Sequence, residues 1–227
     1  MVRLALVPSP FTGAAAWRPI AERLPHAVAV DYGGVSGPGW YDGVAHRVAA
    51  AIGEGPWIAV LHSGAGGFAP ALAEAGAAGF ILVDAVRPHP GRSLREVEPT
   101  FVDYLEARAS DGRLPPWNAW FDEDPLPRFL PDAAARAAFV ADLPRTPLAF
   151  LDAVPPPSDA WERLPAAYLQ LSRRYAAQAD WAEAHGWPVT RVELHHLAMF
   201  SHPDEVSAAL AVLAREVAPA ESNSPPR

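Results

Sequence analysis

Trp57-Ile58-Ala59-Val60-Leu61-His62-Ser63-Gly64-Ala65-Gly66-Gly67 is the stretch that decides the fold. An apolar run stops at His62-Ser63, small residues follow, and an alanine-rich helical pattern begins at once (Phe68 to Ala75). Strand, sharp turn bearing a serine, helix is how a fold displays one nucleophile at the top of a sheet. The same residues also suit an ordinary tight connection between a strand and a helix.

Working outward, the neighbouring segments repeat this alternation. Val2 to Val7 and Ala27 to Asp31 read as strands before it, and Gly79 to Ala85 reads as a strand after it. Helical spacing separates them: Trp17, Ile20, Ala21 and Leu24 in one segment, then Val44, Val48 and Ile52 in the next. Continuous apolar strands alternating with helices predict a parallel sheet covered on both faces. Ligands of such sheets bind beyond the carboxyl ends of the strands, and Ser63 and Asp84 both fall at such ends.

From Val86 to Leu164 the character changes to proline, tryptophan and phenylalanine. Helical pieces are expected at Arg95 to Ala109, Asp132 to Ala141 and Pro147 to Ala153, and no strand. Strands resume at Ala167 to Leu171 and Val189 to Leu194, with helices at Tyr175 to His185 and Asp204 to Val217. The expected organisation is therefore a core of residues 1–85 and 165–217, a helical cap over 86–164, and a disordered tail over 218–227.

Composition narrows the function. The 227 residues are 50% hydrophobic and 19% charged, enough apolar material for one sizeable α/β domain. A net charge of -8 argues against nucleic-acid binding. The chain has no cysteine and no lysine, which removes thiolate, disulfide and Schiff-base chemistry. The histidines show no metal-ligand spacing and no dinucleotide fingerprint appears, so neither metal nor cofactor is expected. No signal peptide or membrane span is read. The expectation is a cytoplasmic protein, monomer or homodimer, whose partner is a small-molecule substrate.

Three motifs in chain order resemble the α/β-hydrolase superfamily. Leu4-Ala5-Leu6-Val7-Pro8-Ser9-Pro10-Phe11-Thr12-Gly13 with Trp17 looks like its first strand and oxyanion loop. Leu61 to Gly67 resembles its nucleophile elbow. His195-His196-Leu197-Ala198-Met199, then His202-Pro203-Asp204-Glu205-Val206, resembles its terminal histidine segment. The resemblance covers nearly the whole chain and is similar to small cap-bearing serine esterases. It implies a mostly parallel sheet of about six strands, with helices on both faces and a helical cap insertion.

It also implies Ser63 as nucleophile, His196 as general base and Asp84 as the acid behind it. His195, Asp180 and Glu193 are the alternatives. Many members carry the acid after the strand that begins at Ala167, where this chain reads Ser172-Arg173-Arg174; other members carry it where Asp84 stands. The oxyanion hole would use Gly64 with Phe11 or Ser9. The substrate pocket would involve Pro10, Trp117, Trp120 and Phe121.

Two departures stand out. The elbow has Leu61 and Ala65 where the family has glycine, and the loop donor aligns with Pro10, which has no N–H. Three functions follow as expectations. The first is hydrolysis of a small hydrophobic ester, thioester or lactone. The second is a non-hydrolytic cyclase, eliminase or lyase of specialised metabolism that uses His196 as base. The third is a catalytically inactive binding protein on the same scaffold.

Overall fold

The computed structural model of the chain describes residues 2–37 and 39–218. The tail expected over 218–227 falls, from residue 219 on, outside the described residues. Six strands form one sheet: β1 (Arg3–Val7), β2 (Ala27–Ala29), β3 (Trp57–His62), β4 (Gly79–Val83), β5 (Ala166–Gln170) and β6 (Val189–Arg191). Their order is β2-β1-β3-β4-β5-β6, and every pairing is parallel.

The apolar runs dictate the layers. Every residue of β3, β4 and β5 is buried, whereas the three-residue edge strands β2 and β6 are half-buried or exposed. Side chains alternate between two cores, as the pleat requires. Val7, Leu61, Leu82 and Tyr168 join the core beneath the Trp40–Ile52 helix; Leu6, Val60, Val83 and Leu169 join the core beneath the Pro203–Val217 helix. Each core is closed by amphipathic faces, such as Val44, Val48 and Ile52 on one side and Val206, Leu210 and Leu213 on the other.

Strand order places the site. The chain leaves β1 to build β2 on one side, then returns to lay β3 on the other. Loops leaving the carboxyl ends of β1 and β3 therefore diverge, and a crevice opens between them. The β1 loop carries Pro8 to Gly13, and the β3 loop carries Ser63 to Phe68.

Between β4 and β5 the chain is helical, with two isolated antiparallel bridges, Ser110–Arg113 and Arg113–Pro147. The single helix expected over Arg95 to Ala109 is in fact two, Leu94–Val97 and Pro99–Glu106. Pro99 disfavours helical backbone at Glu98, which sits at φ -136°, ψ 56°. Ser93 and Glu96 form a reciprocal cap that starts the first piece. Expected strand ends also shorten: β2 stops at Ala29, β4 at Val83 and β6 at Arg191. The expected Tyr175 to His185 helix begins as a 3-10 turn at Arg173–Tyr175, before α-helix over Ala176–Ala184.

The turn after β3 is tight at unexpected places. It runs as a 3-10 helix, Ser63–Phe68, before the α-helix Ala69–Glu74. Leu61 and Ala65 are fully buried within one core. The close approaches occur instead at Gly66 and Gly64. A β-carbon on Gly66 would meet the Val86 carbonyl oxygen at 1.8 Å; one on Gly64 would meet the Pro10 ring at 3.1 Å. The turn is pressed from both sides by neighbouring loops, and glycine at 64 and 66 makes room. We expect Gly66→Ala to destabilise the protein by roughly 1–3 kcal/mol, the usual range for overpacking. Thermal melting checks this, and a midpoint unchanged from wild type would contradict the contact.

Candidate active site

Backbone geometry singles out two residues. Ser63 (φ 56°) and Asp84 (φ 41°) are two of only three non-glycine residues with left-handed backbone among the described residues. Such conformations are strained for side-chain-bearing residues and are maintained where surroundings enforce them. Here the turns brace each other, because Val86 N–H donates to the Ser63 carbonyl at 3.0 Å. Tyr168 clamps the second turn through its hydroxyl, bonded to both Ala85 N (3.0 Å) and Ala85 O (2.9 Å).

Asp84 has no solvent exposure, and its carboxylate accepts four hydrogen bonds. Leu171 N–H (2.6 Å) and Ser172 N–H (3.1 Å) donate to Oδ1, while Ser172 Oγ (2.6 Å) and His196 Nδ1 (3.1 Å) donate to Oδ2. A carboxylate can only accept, so His196 carries its proton on Nδ1, and in the neutral ring Nε2 keeps a lone pair. Ser63 and His196 line one cavity of about 710 Å³.

The alternatives to Asp84 are engaged elsewhere: Asp180 pairs with Arg191 at 3.0 Å, and Glu193 with Arg173 at 3.6 Å. His195 does not line that cavity. It stacks on Phe129 (centroids 4.8 Å apart) and its Nε2 is 2.9 Å from Ser201 Oγ. Burial, helped by His202 and His196, pushes His195 down to about 4.

Of the expected oxyanion donors, Gly64 N–H lies in the first turn of the 3-10 helix, where backbone donors lack intrahelical partners. Phe11 N–H points at Ser9 Oγ, 3.4 Å away, and Ser9 is buried. Trp117, Trp120 and Phe121 line the cavity along with Phe11. Pro10 is placed differently from the pocket role expected of it. Its ring packs on Gly64 and its carbonyl accepts from Thr146 Oγ1 at 2.6 Å.

Two residues at the site escaped the sequence. Ser172 stands in the loop where a carboxylate was sought and braces the Asp84 carboxylate instead. Tyr175 stacks its ring on His196, with centroids 4.9 Å apart and planes 2° from parallel, and its hydroxyl lies 3.3 Å from Ser63 Oγ. Among the described residues the Ser63 hydroxyl is thus partnered by Tyr175, not by His196. Burial is the main cause that raises the Tyr175 phenol, so it stays protonated. Periodicity marks Tyr175 only as a helix start; an aromatic hydroxyl just past the end of β5 is the available signal.

Comparison with known proteins gives the family. A sequence model described as the alpha/beta hydrolase family matches residues 4–209. The chain belongs to the alpha/beta hydrolase family. No curated protein sequence matches it. Solved structures share its fold. One is an extracellular alpha/beta-hydrolase from a Paenibacillus species, described as sharing structural and functional homology with tobacco salicylic acid binding protein 2 (TM-score 0.72, 13% identity, 96% of this chain and 100% of that one). Another is a pyrethroid hydrolase from Sphingobium faniae JZ-2 (TM-score 0.71, 20% identity, 97% and 99%). A third is tomato methylketone synthase I in complex with 2-tridecanone (TM-score 0.68, 14% identity, 95% and 98%). At such identities the likeness is one of fold.

His62 completes the packing around His196. It is fully buried, its ring centroid is 4.4 Å from that of His196, and its Nε2–H donates to the His196 carbonyl at 2.9 Å. Burial, and then the nearby His196, hold it well below 6.5. The unfolded chain therefore binds a proton there that the native state refuses, and stability falls as pH drops below about 6.5. His195 adds to the loss between 6.5 and about 4. Melting temperature should fall with acidification over that window, and His62→Gln should flatten the dependence. Identical slopes for the two proteins would count against a neutral buried His62.

Proposed function

We propose that the protein is a serine hydrolase that cleaves a small hydrophobic ester, thioester or lactone through Ser63, His196 and Asp84. The observation that carries this reading is the Asp84–His196 hydrogen bond at 3.1 Å, in a cavity shared with a serine held at φ 56°. The Asp84 carboxylate fixes the Nδ1–H tautomer, so Nε2 is free to take a proton. Ser63 Oγ attacks the carbonyl carbon and passes its proton to His196 Nε2. The carbonyl electrons move to oxygen, which meets Gly64 N–H. Collapse expels the alcohol or thiol, which leaves with the proton from His196; water then repeats the sequence to free the acid. Separation between base and nucleophile is common in ligand-free sites and closes on substrate binding.

In this proposal residues 1–85 and 165–217 are the hydrolytic core and 86–164 cap the strand ends. The cap supplies the aromatic wall (Phe101, Trp117, Trp120, Phe150), which suits an apolar substrate. Among the described residues no helix is long and apolar enough to cross a membrane.

One observation favours a second reading. Pro10 deprives the β1 loop of its N–H, and the Ser63 hydroxyl rests on Tyr175. Chemistry with His196 as general base and Ser63 only orienting the substrate needs less oxyanion stabilisation. Incubation with a fluorophosphonate separates the two. The hydrolase should be labelled at Ser63, and Ser63→Ala and His196→Ala should each abolish ester turnover. Asp84→Asn should lower kcat by about 10³–10⁴, because an amide cannot accept all four hydrogen bonds or stabilise imidazolium. Full ester turnover by Ser63→Ala would exclude the serine mechanism.

A further inference from the structure

Oxyanion stabilisation is the weak point of this site, and a phenolic hydroxyl lies within reach of its serine. We propose that Tyr175 is a catalytic residue whose phenolic O–H donates to oxygen at the reacting centre, standing in for the N–H that Pro10 cannot supply. This rests on the serine-hydrolase reading above. Tyr175 Oη lies 3.3 Å from Ser63 Oγ, close enough to touch the atoms that react. Its ring is held flat against His196, which fixes the direction of the hydroxyl. The other nearby donor, Phe11 N–H, already faces Ser9 Oγ.

Of the two hydroxyls 3.3 Å apart, either could donate; in this proposal Tyr175 donates to Ser63 Oγ, which leaves the serine proton for His196 Nε2. When Oγ bonds the acyl carbon, the carbonyl π pair moves onto oxygen, and Tyr175 O–H joins Gly64 N–H in stabilising that charge. The phenol keeps its proton throughout; proton transfer runs between Ser63, His196 and the leaving group. Burial favours this role, because a desolvated phenol resists ionisation and a hydrogen bond to an anion strengthens in a dry site.

Tyr175→Phe deletes the hydroxyl and keeps the stacked ring, so folding is not at issue. It should lower kcat by about 10²-fold, the lower end for loss of one oxyanion donor, with KM changing far less. Labelling of Ser63 by a fluorophosphonate, whose phosphoryl oxygen occupies the same place, should slow in parallel. A Tyr175→Phe protein as fast as wild type, or faster, overturns the proposal while leaving the hydrolase reading intact. Wild-type protein that resists both labelling and ester turnover removes the hydrolase reading, and this role with it.

A separate observation concerns substrate class. Arg87, Arg92 and Arg174 line the same cavity, and among the described residues Glu98 is the one carboxylate lining it. In a chain of net charge -8 this is a local reversal of sign. Arg87 and Arg174 have no hydrogen-bonded or ion-paired side-chain partner among the described residues, while Arg92 donates to the Glu96 carbonyl at 2.9 Å. Apart from Ser63, His89 and His196, the remaining walls are mainly aromatic and aliphatic. We infer that the substrate couples an apolar body to an anionic group remote from the bond that breaks. Guanidinium groups stay charged and match planar oxyanions, which makes a carboxylate the fitting terminus.

The test compares p-nitrophenyl esters of a medium-length acyl chain that ends in either a carboxylate or a methyl group. Wild-type kcat/KM should favour the carboxylate ester by roughly tenfold or more at low salt, and the preference should shrink as ionic strength rises. Arg87→Gln with Arg174→Gln should collapse that ratio toward one. A wild-type preference for the methyl-terminated ester, or a ratio indifferent to both substitutions, overturns the inference. Binding of the matching dicarboxylate and monocarboxylate to the Ser63→Ala protein reads the same preference without turnover. It therefore stands apart from failure of the hydrolytic reading.

Discussion

A buried carboxylate organises the functional end of this molecule. Asp84 is removed from solvent, and a bare charge there would carry a penalty of several kcal/mol. Its four hydrogen bonds offset that penalty, and they come from three places: the end of β5 (Leu171), the loop beyond it (Ser172) and the segment after β6 (His196). One group therefore ties together the carboxyl ends of β4 and β5 and the loop beyond β6. The direction of the His196 ring follows from this bond, as does its tautomer.

Strain and close packing hold the serine opposite. Ser63 and Asp84 occupy left-handed backbone just past the ends of adjacent strands, and Val86 N–H links one turn to the carbonyl of the other. Gly66 lets the Val86 carbonyl pass where a β-carbon would collide, and Gly64 lets the Pro10 ring close the other side. The two turns are thus interlocked. Neither can relax without moving the other, which keeps a strained serine displayed.

Pro10 both shapes the site and deprives it. Its ring seals the turn and its carbonyl is anchored by Thr146, but it offers no N–H to a developing oxyanion. Tyr175, stacked on His196 and in reach of Ser63, is the structural counterweight. Above them stand the aromatic side chains Phe11, Trp117, Trp120 and Phe150 of the cavity wall. Arg87, Arg92 and Arg174 border the same cavity from exposed positions, together with Glu98.

The chain's own pattern determined the architecture: fully apolar runs at β3, β4 and β5 have to be buried on both faces, and alternation with helical spacing makes parallel strands. Ser63 and Asp84 fall just past the ends of β3 and β4, and His196 lies in the loop beyond β6, so position along the chain was enough to nominate them. Strand ends and the Arg95 to Ala109 helix were misjudged where local backbone rules, such as Pro99 acting on Glu98, prevail over periodicity. Which atoms meet was another matter. That Asp84 rather than Asp180 or Glu193 reaches His196, that Ser172 braces it, and that Tyr175 touches Ser63 depend on contacts 87 to 112 residues apart along the chain. Sequence spacing carries no information about such distances. Only the closing of the sheet, with β5 laid beside β4, brings those loops to one point.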